Sequence, residues 1–571
     1  MQLNFNCRLR LLAVSFFVAL AGLIYISLPH GSARVTTAQG AQANANTAPP
    51  AQASSSSPAG AAAAVANGAL TPQERRGKGI YLRGESASGK EIMAYLGEAS
   101  LEVPGSAMTC AGCHGLDGQG KPEGGITPSN ITWEALTKSY GVTHASGRKH
   151  PPYTERALEL ALTRGLDPAG NHLMNVMPRY QMSREDMADL IAYLKRLGAD
   201  RDPGLTDTAI RVGMLVPAKG ALAEMGGAIK SVVAAYFEEV NAQGGIYNRK
   251  IELKLTETGD TPAATSASVE RLIRDEQIFA LSGAMIAGAD REIATLVHNS
   301  GVPLVAPFTL YPPLSAPVNR QVFYLLSGID DQARALVVFA AQKFPDKSAT
   351  RAAIVYPDSD VNASVAVAID EQSKLAGWNV PGRVRYARGS FDAVVVAKEL
   401  SAKNVNAVFL LGGSEDARAL WAAAEKLNWL PALYLPGAMT GRDILDAPLA
   451  FKDKIFLSFP SVPADIKPAG LENFRTLAAK YKLPQGHIAA QISAYVSAQL
   501  LVEGLKRAGR DLSREKLINS LEGLYEFDTG LTPRLTYGPN RRVGAAGAYI
   551  VAVDVEKKQF VPASGWIGVK P

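Results

Sequence analysis

Cysteine is almost missing from this chain, with three in 571 residues. Cys7 lies near the start and Cys110 and Cys113 sit three apart, so a disulfide scaffold is excluded and packing must hold the folded part. Dense Lys/Arg runs are also absent. The 59 basic and 53 acidic residues leave +6 spread along the chain, which argues against nucleic acid as a partner. No phosphate loop or hydrolytic triad emerges, so the chain reads as a non-enzyme. One long apolar run, residues 11–28, follows Arg8 and Arg10 in the pattern of a secretory signal, with cleavage points after Ala33 or Ala38. Its length is near the lower limit for a spanning helix, so residues 1–33 read as a signal peptide or an N-terminal membrane anchor, and export is expected. Cys7 precedes that run and is badly placed for lipid attachment. Large side chains are scarce over 34–70, a stretch of Ala, Gln, Ser and Pro expected to be a disordered tether.

With 47% apolar and 20% charged residues, the remainder is long enough for two or more cores. Cys110-Ala111-Gly112-Cys113-His114 is a C-x-x-C-H element. Two thiols one helical turn apart suit addition to the two vinyl groups of one haem c, and the next His suits the iron. A zinc site would need a second Cys pair, and a dithiol redox pair leaves His114 unexplained. Thr71 with Pro72 and Glu74 signals a helix over 71–82. Ser183 caps a second helix whose apolar positions Met187, Leu190, Ile191 and Leu194 recur at helical spacing.

Residues 71–200 therefore resemble a small all-α class I cytochrome c domain. The resemblance places Gly79, Tyr81 and Tyr193 at the crossing of its terminal helices and gives Met177-Pro178 as the second axial element. Met182, Met174 and His172 stay open as alternatives, and core filling is the ordinary role of such methionines. The long separation of His114 from Met177 implies an insertion around residues 126–152, containing Trp133, His144 and His150. Lys121, Arg148, Lys149, Arg156, Arg164 and Arg179 are candidates for a positive rim that attracts an acidic redox partner, such as a dehydrogenase or respiratory cytochrome.

From Ile210 onward, β-rich runs alternate with helical stretches: residues 210–216, 226–242, 251–257, 265–274 and 278–283, then strand candidates near 303, 322, 351, 406, 431 and 454. That count fits two open parallel sheets. Residues 217–226 (PAKGALAEMG), 241–246 (NAQGGI) and Gly301-Val302-Pro303 resemble the type I periplasmic solute-binding proteins, in particular the leucine/isoleucine/valine-binding receptors that serve ABC transporters. The resemblance implies an α/β fold of two lobes over 208–571, closing on a small organic solute, with an ABC permease as a possible partner. Open sheets bind ligands at the carboxyl ends of their strands, which directs attention to Lys219, Ala221, Met285, Ile286, Ala287, Phe308, Thr309, Tyr356, Ser414 and Ala438.

By that resemblance, a carboxylate-holding Ser is replaced by Ala287, a pocket Thr falls at Leu310, and an ammonium-pairing Glu falls near Ala438. A branched-chain amino acid is therefore disfavoured. An apolar or aromatic carboxylate, held by backbone N–H groups after Ile286, is favoured. Gly198, Pro203 and Gly204 mark the joint between modules. The resulting expectation is a periplasmic protein that combines single-electron transfer with solute binding. An electron carrier with a non-binding receptor-like scaffold, and a haem-based ligand sensor, remain as alternatives.

Overall fold

The computed structural model describes residues 70–569 except 98–100, 121–127, 145–146, 199, 315–317, 347–348 and 380. The expected signal or anchor and nearly all of the tether lie outside the described residues. Those described divide into two compact units, 70–202 and 203–569.

The first unit begins with α1 (Pro72–Arg83), which the sequence caps at both ends. Glu74 N donates to Thr71 Oγ1 at 3.2 Å, Thr71 N donates to Glu74 Oε2 at 2.6 Å, and Gly84 closes the helix in the left-handed conformation. There follow β1 (Met93–Leu96), β2 (Leu101–Pro104), α2 (Cys110–His114), α3 (Trp133–Leu136), β3 (Val142–Thr143), β4 (Lys149–His150), α4 (Glu155–Arg164), β5 (Arg179–Gln181) and α5 (Arg184–Leu194). Ser183 caps α5 through Asp186 N, and Met187, Leu190, Ile191 and Leu194 are all buried.

The helices α1 and α5 cross face to face. Tyr81 and Tyr193 meet there with ring centroids 5.6 Å apart, and Arg76 forks onto buried Asp189 at 2.6 and 2.9 Å. The close approach lies at Gly77 rather than at Gly79. A Cβ on Gly77 would stand 1.9 Å from the Asp189 carbonyl oxygen, whereas one on Gly79 meets the end of Arg83 at 3.2 Å and the Glu85 carbonyl oxygen at 4.0 Å. The expected all-α module also carries an antiparallel sheet in the order β2-β1-β5 and a β3–β4 hairpin within the insertion.

The second unit holds two sheets. Lobe one contains β6 (Ala209–Val216), α6 (Ala223–Ala242), β7 (Lys250–Glu257), α7 (Pro262–Asp275), β8 (Ala280–Ser282), α8 (Asp290–Ser300), β9 (Leu304–Val305) and β10 (Val322–Leu326). Lobe two is built from α9 (Ile329–Lys343), β11 (Ala352–Pro357), α10 (Asp360–Leu375), β12 (Gly382–Tyr386), α11 (Ala393–Ala402), β13 (Ala407–Leu410), α12 (Ser414–Lys426), β14 (Ala432–Pro436) and β15 (Ile455–Phe459). The chain then returns to lobe one as α13 (Pro468–Lys480), α14 (Ile488–Ala508), α15 (Arg514–Glu522) and β16 (Val543–Ala545). It ends in lobe two with β17 (Gly547–Asp554) and β18 (Gln559–Gly568).

The lobe-one sheet, β16-β10-β9-β8-β6-β7, is parallel throughout. The lobe-two sheet, β12-β11-β13-β14-β15-β17-β18, is parallel until its last two strands, which run antiparallel. Helices on both faces explain why these strands read as continuous apolar runs. Among the described residues, one helix is long and apolar enough to cross a membrane; it is α14, and it is largely buried in the lobe-one core.

Gly204 is not a free hinge. It holds φ +82° with its Cα packed on Gln277 and Phe279 of lobe one, where a Cβ would meet Gln277 O at 2.3 Å.

The helix crossing yields a paired prediction. Gly77→Ala should destabilise the first unit by about 2 kcal/mol, because overpacking at a rigid backbone contact cannot relax. Gly79→Ala should stay within about 0.5 kcal/mol of the parent. Denaturant unfolding of the two variants distinguishes the positions.

Candidate functional site

The five-residue helix α2 is nucleated by Thr109, whose Oγ1 accepts from Gly112 N at 3.2 Å. The helix sets Cys110, Cys113 and His114 on the wall of one cavity of about 920 Å³, within the range of roughly 300–1,000 Å³ typical of cofactor sites. Tyr81 anchors the end of this turn by donating to the Gly115 carbonyl at 2.7 Å.

The ring of His114 is oriented by one contact. Its Nδ1 lies 2.9 Å from the Ser129 carbonyl, and a carbonyl only accepts, so Nδ1 carries the proton and Nε2 keeps a free lone pair. Burial holds this imidazole below its ordinary pKa and favours the neutral form, although the Ser129 bond opposes that shift. Cys110 and Cys113 are not joined to each other by a disulfide; Cys113 is exposed, and burial pushes the Cys110 thiol up to about 12. A thiol held protonated in this way is unlike the acidic nucleophile of a dithiol oxidoreductase.

Residues 173–178 form a turn whose Leu173, Met174, Val176, Met177 and Pro178 line the same cavity, closed by Met177 N donating to Met174 O at 3.0 Å. Of the four thioether and imidazole candidates, Met177 and Met174 line the cavity, and Met182 and His172 do not. Met174 is strongly exposed, whereas Met177 packs against the unit's core. Arg179 clamps this turn, its Nη1 donating to Met177 O and its Nη2 to Leu173 O at 3.1 Å. The guanidinium lies against Gly165, where a Cβ would come within 1.9 Å of Arg179 Nε. Leu136, Leu158, Leu162, Leu190 and Leu194 complete an apolar wall.

The residues therefore fit a haem: a thiol pair, an unprotonated ring nitrogen and a thioether converge on one largely apolar cavity. Sequence reasoning missed Ser129 and Arg179 as supports; a Met-Pro-Arg run was the only hint of the second. Of the residues expected to form a positive rim, Arg148 pairs with Asp167, Arg156 with Glu159 and Arg179 holds the Met177 turn, whereas Lys149 and Arg164 are exposed. Lys121 lies outside the described residues.

In the receptor-like unit, the residues expected around a solute separate into two sets. Lys219, Ala221, Ala287 and Thr309 are accessible. Met285, Ile286, Phe308, Tyr356 and Ala438 are buried within the cores, and Ser414 is nearly so, its Oγ accepting from Gly441 N. Leu310 is buried as well. Pairing resumes beyond β8, with Met285 bridged to Phe308, so positions read as loop continue the sheet.

Around Ile286, where backbone N–H groups were expected to hold an anion, four of them are engaged within the chain. Met285 N donates to Leu215 O at 2.8 Å, Ile286 N to Phe308 O at 3.2 Å, Ala289 N to Ile286 O at 2.8 Å, and Gly288 N to Asp290 Oδ2 at 2.9 Å. Asp290, at the start of α8, also accepts from Thr309 Oγ1, so a carboxylate stands where a solute carboxylate was expected. Burial raises the Asp290 carboxyl to about 6, with its hydrogen bonds opposing the shift.

Comparison with known proteins agrees with this architecture. The sequence model of the periplasmic binding protein family matches residues 209–559, and that of cytochrome c matches residues 105–198. The chain belongs to the periplasmic binding protein family and carries a cytochrome c domain ahead of the family's fold. It is 22% identical over 347 residues to the Leu/Ile/Val-binding protein BraC3 of Rhizobium johnstonii, covering 58% of this chain and 89% of that protein. It is 23% identical to the Leu/Ile/Val-binding protein homolog 7 of Brucella abortus, covering 52% and 77%. Among solved structures, a branched-chain amino acid ABC transporter protein from Thermus thermophilus with bound valine shares the fold, at TM-score 0.50 and 16% identity, covering 64% of this chain and 98% of that one.

Asp290 gives a pH-dependent prediction. Its raised carboxyl means the folded state binds the proton more tightly than the unfolded chain, so its stabilisation is complete below about pH 4 and is lost as pH rises through about 6. Asp290→Asn should match the parent at pH 4 and exceed it at pH 8 by on the order of 2 kcal/mol, read from unfolding curves at both values.

Proposed function

We propose that the chain is a periplasmic protein with one covalent haem c, attached at Cys110 and Cys113 with His114 and Met177 as axial ligands. It exchanges single electrons with a redox partner, a dehydrogenase or respiratory cytochrome, while its lobes bind a small organic solute in connection with ABC-type uptake. The observation that carries this reading is the convergence of both thiols, the His114 Nε2 lone pair and the Met177 thioether on one cavity. When bound, the haem supplies a one-electron couple whose potential His/Met ligation sets high.

The chain's own residues determine how that couple is held. Ser129 fixes the ring of His114, and Arg179 fixes the carbonyls on either side of the Met177 turn. The leucine wall excludes water, which favours electron transfer over chemistry at an open iron.

For the lobes, Asp290 and Thr309 favour a solute that offers a hydrogen-bond donor over one that presents a carboxylate, since two carboxylates sharing a site repel. The burial of Met285, Ile286, Phe308 and Tyr356 favours a second reading, in which the lobes are a scaffold that binds nothing.

Two measurements test these readings. Met177→Ala should lower the midpoint potential and admit external imidazole to the iron, and Arg179→Met should raise imidazole affinity about tenfold through a loosened turn. Unchanged spectra in both variants would contradict the ligand assignment. In a thermal-shift screen of the full chain, a bound solute at a hundred times its Kd should add about 2.7 kcal/mol of stability. A broad screen without any shift supports the scaffold.

A further inference from the structure

The carboxyl ends of the lobe-one strands face lobe two. β8, β9 and β10 are parallel, and beyond Leu326 the chain leaves β10 through Ser327 and Gly328 to start α9 in lobe two, so the loops after β8 and β9 open on the cleft. Ile329 N donates to Leu310 O at 2.9 Å, which sets the loop after β9 against that crossing. Ala287 and Thr309 are accessible on these two loops, Gly288 is exposed, and Asp290 is half-buried beside them.

The hydrogen-bond donors of this wall are spent within the chain. The N–H groups of Met285, Ile286, Gly288 and Ala289 are taken, and Tyr311 N donates to Thr309 Oγ1 at 2.9 Å. The hydroxyl of Thr309 has one proton, and it goes to Asp290 Oδ1. A solute carboxylate therefore meets no free donor among these groups, and it meets a charge of its own sign at Asp290.

Acceptor capacity, in contrast, remains. An ionised carboxylate offers about four lone-pair sites. Asp290 gives one oxygen to Thr309 and the other to Gly288 N at 2.9 Å, and its own backbone N–H also favours the charged form. Among the described residues no Lys, Arg or His pairs with it, while Glu292 adds a charge of the same sign. Tyr324, on β10, has its phenol raised by burial and is neutral. The start of α8 favours a negative charge at this place, and burial still lifts the carboxyl to about 6. A half-buried carboxylate in this condition gains from a cation that reaches it through the cleft.

We propose that the lobes take an organic ammonium ion that carries no carboxylate, its cationic end set against Asp290 and its apolar body lying in the cleft. This deepens the solute-binding reading above and rests on it. An amino acid needs a partner for each of its two charges. Here the positive end has one in Asp290, on lobe one, and the negative end has neither a hydroxyl, since Ala287 and Leu310 stand where the resemblance expects Ser and Thr, nor the backbone donors around Ile286.

The test uses the full chain at pH 8, where a carboxyl at about 6 is ionised. Isopentylamine is compared with isovalerate and isopentanol, and benzylamine with benzoate and benzyl alcohol, first by thermal shift and then by calorimetric titration of the parent and Asp290→Asn. The expected result is that an amine stabilises the parent more than the acid and the alcohol of its own skeleton, and that Asp290→Asn binds it tenfold or more weakly. An acid or alcohol that binds as tightly as its amine overturns the proposal, as does an amine held equally by parent and variant. If Asp290→Asn does not fold, the comparison of amine with acid and alcohol on the parent decides alone. A solute of another class found in the broad screen, with neither amine bound, overturns the ammonium and leaves solute binding standing. No shift with any compound fails the solute-binding reading itself.

Discussion

A single hydrogen bond, from His114 Nδ1 to the Ser129 carbonyl, decides what this cavity can hold. It selects the tautomer with Nε2 free, and it fixes the ring plane on a helix too short to orient a side chain by itself. The surrounding structure supports that contact. Thr109 nucleates the turn, Tyr81 ties its end to the helix crossing, and Gly77 lets α1 and α5 approach closely enough to present Leu190 and Leu194 to the cavity. Opposite, Arg179 spends its guanidinium on two backbone carbonyls instead of on solvent, which burial makes costly unless the geometry it imposes on Met177 matters.

The receptor-like unit solves a different problem. Its central strands are buried, and the chain passes three times between the two sheets, with loops at the strand ends. The loops at those ends are unusually self-satisfied in lobe one, where backbone N–H groups pair with the neighbouring strand and with Asp290.

Much of this was legible in the sequence because it depends on local rules. The Thr71 and Ser183 caps, the apolar stripe of α5 and the alternation of strands and helices from Ile210 onward all appear where residue pattern places them. Elements set by distant contacts were not legible. β12, Gly-Arg-Val-Arg-Tyr, is an exposed edge strand without an apolar run, and β16 joins lobe one through pairing with β10, far away in sequence. Gly77 and Gly79 look alike until Asp189 packs against one of them. At the site, the C-x-x-C-H spacing revealed the chemistry, whereas Ser129, Arg179 and the His144–His150 contact depend on loops that only the fold brings together.

The account stands on covalent attachment at the two cysteines. Purified protein, denatured and extracted with acidified solvent, measures it directly by absorbance and intact mass. The expected result is a polypeptide that keeps its Soret band and carries the added mass of one haem, with Cys110 and Cys113 closed to alkylation. A colourless polypeptide with both thiols free to alkylate would contradict it.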